Sequence, residues 1–211
     1  MKCFLYSLIL SLLSFACNTD NNSNSSAPKK SSGNYSIALL PFSDADTIFV
    51  KRLKDSLQKR LAVNFTTLPQ KQLPAFAFYK PRQRYIADSL LIFLKSSNQQ
   101  KADKIVGITT KDISTQKGEI ANWGVLGLGY CPGEACVIST FRAGKGKVGD
   151  SKFLNRMTIL ALHELGHTFG LPHCPETSCI MKDAEGKMNL DNGNSYCPKC
   201  HKYLSGKGIL K

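Results

Sequence analysis

Five residues near the C-terminal end of the chain have the types and spacing of a catalytic metal site. His163 and His167 lie four residues apart, so on a helix both imidazoles reach from one face to a single ion. Glu164 lies about 100° further around that helix, where its carboxylate can reach a water on the ion. Gly170 can end the helix with a positive φ, and His173 then supplies a third ligand. Three ligands leave a fourth position open, which is typical of catalytic zinc.

A second group of potential ligands lies beside these histidines. The chain has eight cysteines and four histidines, and all four histidines fall between residues 163 and 201. Zinc prefers thiolate and imidazole ligands, so this crowding favours metal chemistry over a disulfide scaffold, which would spread its cysteines along the chain. The cysteines of this region, called the four-cysteine group below, are Cys174, Cys179, Cys197 and Cys200.

These motifs resemble one family of zinc peptidases. Residues 163–173, HELGHTFGLPH, are similar to the metzincin signature HExxHxxGxxH. The four-cysteine group and Met181, which follows Cys179 by two residues, extend this signature into a pattern that looks like the archaemetzincins. The resemblance implies zinc-dependent hydrolysis of peptide bonds, with a peptide or protein as the substrate.

The resemblance also implies a role for each residue of the signature. His163, His167 and His173 would bind the catalytic zinc ion. Glu164 would be the general base and general acid. Met181 would form the Met-turn, an apolar floor below the metal.

The family pattern assigns the four-cysteine group to a second, structural zinc ion, which makes two Zn²⁺ per chain. Because Cys174 directly follows His173, this closed site would brace the loop that supplies the third catalytic ligand. Some metzincins carry a tyrosine two residues after the Met-turn methionine, where this chain has Asp183. The sequence therefore identifies no residue as an oxyanion stabiliser beyond zinc, and this role stays open.

Two other chemistries use some of the same cysteines. Residues 197–201, CPKCH, also fit the attachment motif of c-type haem, although haem would leave Cys174 and Cys179 without a role. Extracytoplasmic thiols also tend to form disulfides, but zinc bound during folding would protect them. Cys131 and Cys136 flank four residues between two predicted antiparallel strands, and we expect a disulfide there, with two free thiols as the alternative.

The first 34 residues predict export and anchoring. Residues 1–17 combine a lysine, an apolar stretch and a small residue before Cys17, and they resemble a bacterial lipoprotein signal whose Cys17 carries the lipid. An ordinary signal peptide with an incidental cysteine is the alternative. Residues 18–34 lack large apolar side chains, which predicts a flexible tether. We therefore expect an extracytoplasmic lipoprotein, anchored at the periplasmic face or the cell surface.

The charge of the chain raises a further partner class. Its 28 Lys and Arg against 15 Asp and Glu give a formal net charge of +13, which would suit nucleic acid. However, the basic stretch at residues 51–60 is interleaved with apolar and acidic residues, as on an ordinary solvated helix face. We expect no nucleic-acid partner. Length and composition predict one domain, over residues 35–211. We expect it to act as a monomer.

The elements that position the site follow from apolar periodicity. The pattern predicts strands at 35–42, 63–68, 104–109, 123–130 and 137–142, and helices at 47–62, 82–96 and 153–169, with Asp44 or Asp46 capping the first helix. This order predicts an α/β fold whose sheet has at least one antiparallel edge. The resemblance implies a metzincin-like mixed, twisted sheet with a backing helix, an active-site helix and a small C-terminal subdomain for the Met-turn and the four-cysteine zinc site. The strand at 137–142 resembles the metzincin edge strand that pairs with substrate; a buried strand fits equally well.

The sequence therefore predicts a zinc metallopeptidase, either an endopeptidase or an aminopeptidase. The alternative is a non-catalytic, zinc-stabilised surface lipoprotein that acts as a binding module. Glu164 separates the two hypotheses, because a purely structural three-histidine site needs no carboxylate beside its open position.

Overall fold

The computed structural model describes residues 35–144, 150–183, 190–191 and 195–211. The predicted signal peptide, the tether and Cys17 lie outside these residues. Within the described ranges, no helix has the length and apolar character needed to span a bilayer.

Nine strands and four α-helices make up the described part of the chain. In chain order they are β1 (Ser36–Pro41), α1 (Thr47–Gln58), β2 (Asn64–Thr67), β3 (Phe78–Tyr79), β4 (Arg84–Ile86), α2 (Ala87–Ser97), β5 (Lys104–Thr109), β6 (Ile113–Lys117), β7 (Ile120–Val125), β8 (Gly127–Gly129), β9 (Ala135–Ser139), α3 (Ser151–Thr168) and α4 (Pro198–Gly206).

Two sheets organise these elements. The larger has the strand order β2-β1-β5-β9-β8, in which the first four strands are parallel and β8 is an antiparallel edge. The smaller has the order β3-β4-β6-β7, and its β6–β7 hairpin leads directly into β8. The hairpin therefore continues along the chain into the open edge of the larger sheet.

Helices cover both faces of the larger sheet because alternate strand residues point to opposite sides. Leu39 and Val106 face one side, where they pack with α1 and α3. Leu40 and Ile105 face the other side, where they pack with α2. The fold is thus a mixed α/β fold in which α3, the helix with the histidine motif, lies buried against the sheet.

An ion-pair cluster ties the smaller sheet to the loop after β9. The buried Asp112 carboxylate lies 2.6 Å from Arg84 Nε on β4 and 2.7 Å from Arg142 Nε. Arg84 also donates to the Asn122 carbonyl on β7 at 3.0 Å. The cluster fixes the β6–β7 hairpin relative to the end of β9.

Before the site, the structure departs from the sequence-based element assignments at several places. Strands β3, β4 and β6 of the smaller sheet have no counterpart among the predicted strands, and the first helix ends at Gln58. The helix predicted from residue 82 begins at Ala87, because Pro81 lies in a 3₁₀ turn and Gln83 adopts a left-handed φ of 51° before β4. The strand predicted at 123–130 is divided between β7 and β8, which belong to different sheets.

The strand predicted at 137–142 is not an edge strand. The corresponding β9 lies between β5 and β8 and is buried along its whole length. The edge prediction is therefore wrong, and the alternative of a buried strand holds. The open edge belongs to β8.

The N-cap of α1 gives a test of local stability. Asp46 Oδ1 accepts a hydrogen bond from the Phe49 amide at 2.7 Å. Asp46→Ala should lower the free energy of unfolding by about 1 kcal/mol, because a helix donor loses its acceptor. The control is Asp55→Ala, which removes an exposed carboxylate 3.0 Å from Lys51 and should cost less than about 0.5 kcal/mol. Urea unfolding followed by circular dichroism compares them, and equal losses would contradict the capping role.

Candidate active site

Helix α3 presents two buried histidines from one face. The Nε2 atoms of His163 and His167 lie 3.1 Å apart, and both side chains are buried. This follows from their four-residue separation, which places them one helical turn apart. Two imidazole nitrogens therefore converge on one point beside the helix.

Backbone carbonyls determine which nitrogen of each ring is free. His163 Nδ1 lies 2.7 Å from the Ile180 oxygen, and His167 Nδ1 lies 2.8 Å from the Leu171 oxygen. A carbonyl only accepts, so each Nδ1 carries the hydrogen and each Nε2 keeps its lone pair. Burial lowers the pKa of His163 to about 4, so this ring stays neutral at physiological pH. Neutral rings with free Nε2 lone pairs are the state in which histidine binds zinc.

The turn after α3 delivers the third histidine. Gly170 has a φ of 100°, its amide donates to the His167 carbonyl at 2.8 Å, and the Leu171 amide donates to the Gly166 carbonyl at 2.9 Å. This pair of bonds is the Schellman arrangement of a helix end. It turns the chain back, so that one ligand nitrogen of His173 and those of the first two histidines all lie within 4.8 Å of one another. The donor set therefore fits a tetrahedral metal with one open position.

Glu164 lies in the same cleft, against the glycines of β8. Its side chain is 4% exposed, and it accepts no hydrogen bond from the residues that the structure describes. A Cβ at Gly127 would lie 2.5 Å from Glu164 Oε1, and one at Gly129 would lie 2.8 Å from the Glu164 backbone oxygen. Only glycine leaves room for the carboxylate at the first of these positions.

The protonation of Glu164 depends on two opposing effects. Burial raises the pKa of its carboxyl to about 8. A divalent cation at the histidines would favour the carboxylate form. The carboxyl group is thus suited to exchange a proton near neutral pH.

The four-cysteine group forms a second compact donor set. Its sulfur atoms all lie within 4.8 Å of one another, and Cys174 Sγ lies 3.8 Å from Cys197 Sγ. Thiolates of tetrahedral zinc are separated by about 3.8 Å, whereas bonded sulfurs are about 2 Å apart. Cys179 Sγ also accepts from the amides of Met181 and Cys197, at 3.4 and 3.3 Å. These sulfurs are free thiols arranged for a metal, and the structure does not support the disulfide alternative.

The two donor sets share one loop. The Cys174 amide donates to the Met181 carbonyl at 2.8 Å, and Ile180, whose carbonyl orients His163, donates its own amide to Ser195 at 3.0 Å. Met181 is fully buried, and a Cβ at Gly166 would overlap its sulfur. The segment 179–181 therefore connects the four-cysteine group to α3.

The predicted disulfide between Cys131 and Cys136 is not formed. Cys136 is fully buried on β9 and packs in the core beside α3, whereas Cys131 is exposed and its Sγ donates to the Leu171 carbonyl at 3.4 Å. The two side chains thus have different surroundings, and the alternative of two free thiols holds.

The haem alternative also finds no support. Both cysteines of that motif belong to the four-cysteine group, and Cys200 is buried. His201 is exposed, with its Nδ1 3.3 Å from Ser205 Oγ. The two cysteines of the motif therefore belong to a cluster of four sulfur atoms, which differs from a haem attachment site.

A cleft of about 490 Å³ connects the histidines to the sheet edges. Besides the three histidines and Glu164, its lining residues are Thr115, Gln116, Lys117, Trp123, Gly124, Val125, Leu126, Gly127, Leu128, Gly129, Cys131, Pro172 and Asp183. Asp183 Oδ2 lies 3.6 Å from His173 Nδ1. Sequence reasoning missed the two glycines of β8, although glycine at alternate positions of a strand signals a close approach on one face.

Comparisons with known proteins agree with this geometry. A sequence model of Peptidase family M54 matches residues 43–206. The chain belongs to Peptidase family M54. Its relatives include an archaemetzincin from Methanopyrus kandleri, 29% identical over 156 residues, which are 74% of this chain and 85% of that protein. An archaemetzincin from Haloquadratum walsbyi is 27% identical over 176 residues, which are 80% of this chain and 98% of that protein.

Solved structures of the same family share the fold. The archaemetzincin from Methanopyrus kandleri superposes with a TM-score of 0.69 at 27% identity, over 86% of this chain and 98% of that one. The archaemetzincin from Archaeoglobus fulgidus, solved with malonate, gives a TM-score of 0.67 at 26% identity, over 80% of this chain and 99% of that one. The M54 protein described above is therefore a zinc metallopeptidase of the archaemetzincin family.

The contact between β8 and Glu164 predicts a selective defect. Gly127→Ala places a methyl group where the Glu164 carboxylate lies, so the carboxylate must shift. A displacement of this size should lower kcat/KM on a fluorogenic peptide by about 100-fold, while bound zinc measured by atomic emission stays at the wild-type level. Gly206→Ala is the control, because a Cβ there meets open space. Full activity in Gly127→Ala would show that the close packing is irrelevant to catalysis.

Proposed function

We propose that this peptidase hydrolyses peptide bonds with Glu164 as the group that moves the proton, and that each chain holds two zinc ions. His163, His167 and His173 would hold the catalytic ion, and the four-cysteine group would hold a structural one. The observation that carries the proposal is the position of Glu164: a buried carboxylate with no described hydrogen-bond partner, lining the cleft with three convergent imidazoles.

The chemistry divides between the metal and the chain. Bound zinc would supply Lewis acidity, which lowers the pKa of a coordinated water towards neutrality. Glu164 accepts a proton from the attacking water and delivers it to the leaving amine. Its burial keeps bulk water away from this proton, because β8 covers the carboxylate.

The open edge of β8 is suited to hold the substrate. On one side β8 pairs with β9, and its other side has no partner strand among the described elements. Residues 125–129 also line the cleft. An extended peptide can add to such an edge through main-chain hydrogen bonds, which places a scissile bond beside Glu164.

Met181 completes the proposed site as the Met-turn. Its buried sulfur packs against Gly166, between the two helical histidines in sequence. A polarizable, apolar side chain there fills the space below the ligands without competing for the metal.

Removal of the Glu164 carboxylate tests the mechanism. Glu164→Gln keeps the size of the side chain and abolishes proton transfer, so kcat should fall by about 1000-fold or more. Zinc content should stay unchanged, because Glu164 is not a proposed ligand. Glu176→Gln, which alters an exposed carboxylate, is the control and should keep wild-type kcat. Equal turnover by Glu164→Gln and the wild type would refute the proposed role.

Metal analysis tests the second zinc ion. The wild-type protein should contain two zinc ions per chain. After treatment with a chelator that removes neither ion from the wild type, His173→Ala should retain only one zinc ion. Cys179→Ser should lose the other ion and unfold at a lower temperature, because the bound metal contributes directly to folding. One zinc ion in the wild type, or two in Cys179→Ser, would contradict a structural site at these cysteines.

A further inference from the structure

The β6–β7 hairpin forms a wall of the catalytic cleft. Lys117 at the end of β6 and Trp123 on β7 both line this cleft together with His163 and Glu164. Lys117 Nζ lies 5.3 Å from the centroid of the Trp123 ring. The ammonium group thus lies over the indole face, in the cleft that also contains His163 and Glu164.

Lys117 is the single Lys or Arg among the described residues that line the cleft. The guanidinium group of Arg142 lies next to Gly124 of β7, since a Cβ at Gly124 would overlap it. Arg142 donates to both Asp112 oxygens at 2.7 and 2.9 Å, and it is not among the residues that line the cleft. Lys117 is exposed and forms no ion pair with a carboxylate in the described ranges. Its ammonium group is therefore the positive charge available to a ligand.

The contact with the Trp123 ring fixes the position of this charged group and places an apolar surface beside it. A cation over an indole face is attracted to the ring while its N–H groups remain free to donate elsewhere. The ring restricts where the ammonium group can lie, and its half-buried face gives apolar contact to a methylene group. A short apolar stem that ends in a carboxylate complements both features.

We propose that Lys117 and Trp123 form a subsite that selects peptide substrates with an aspartate or glutamate side chain on the β6–β7 side of the cleft. This rests on the proposed function, because it assigns a substrate class to the same cleft. The formal charge of +13 acts in the same direction, since a positive field attracts acidic peptides over longer distances. The carboxylate pairs with Lys117, and its methylene groups pack on the indole.

Paired peptides test the selectivity. Each pair differs only by Glu or Gln at one position, and the position is moved along both sides of the cleaved bond. For the wild type, at one position, kcat/KM should be about fivefold to tenfold higher with Glu than with Gln. Lys117→Met should bring this ratio close to one, and Lys117→Glu should instead favour Lys over Gln at the same position.

A matched lysine outside the cleft distinguishes the effect of the subsite from the effect of the protein's net charge. Lys95 Nζ lies 5.9 Å from the centroid of the Tyr130 ring, and neither residue lines the cleft. Lys95→Met removes the same charge from a similar lysine–aromatic pair and should keep the wild-type Glu/Gln ratio. An equal loss of the ratio in Lys95→Met and Lys117→Met would assign the effect to net charge and overturn the subsite.

A binding measurement keeps this test independent of turnover. Trp123 is the single tryptophan in the chain, so its fluorescence reports occupation of the subsite directly. In the Glu164→Gln background, the Glu peptide should quench or shift this emission with a Kd about fivefold lower than the Gln peptide, and 0.5 M salt should reduce the difference. Equal Kd values would overturn the subsite even if hydrolysis proceeds as proposed. Selective binding by a protein that hydrolyses neither peptide would instead retain the subsite and reject the proposed reaction.

Discussion

The hydrogen bonds from the Nδ1 atoms of His163 and His167 to backbone carbonyls determine what this site can bind. They fix the tautomer, aim both Nε2 lone pairs at one point and hold the rings against rotation. Their acceptors, Ile180 and Leu171, lie outside the helix, so the ligand geometry depends on two loops as much as on α3. A change in either loop would turn a ring without altering any ligand.

The four-cysteine group is placed to hold both of those loops. Cys174 directly follows His173, and its amide bonds to the Met181 carbonyl; Cys179 directly precedes Ile180. A metal held by these sulfurs would tie the two segments together within a few residues of the three histidines. Such a link would supply ordering that a larger apolar core supplies elsewhere.

The sequence predicts the local parts of this site well, because its decisive spacings lie within one helix and one turn. His163, Glu164 and His167 follow from helical periodicity, and Gly170 follows from the need for a positive φ. The cleft walls depend on pairing between distant segments. No local sequence signal shows that β7 and β8 belong to different sheets. Only the order of strands in the larger sheet shows that β8, and not β9, is the edge strand. The expected bridge at Cys131 and Cys136 was wrong for a related reason: close spacing in sequence does not say which way each side chain points.

The two glycines of β8 offer no side chains for substrate selection at their positions. Glycine weakens a strand, yet Gly127 is needed where the Glu164 carboxylate lies against the strand. A strand segment without side chains at those positions can offer backbone hydrogen bonds, which are the same for every peptide sequence. In the proposed subsite, the side chains that discriminate between substrates come from the β6–β7 hairpin, which supplies an aromatic face and a charge. Asp112 links Arg84 of this smaller sheet to Arg142 after β9, so under the proposals above β8 would accommodate the base and the hairpin would contact the substrate side chain.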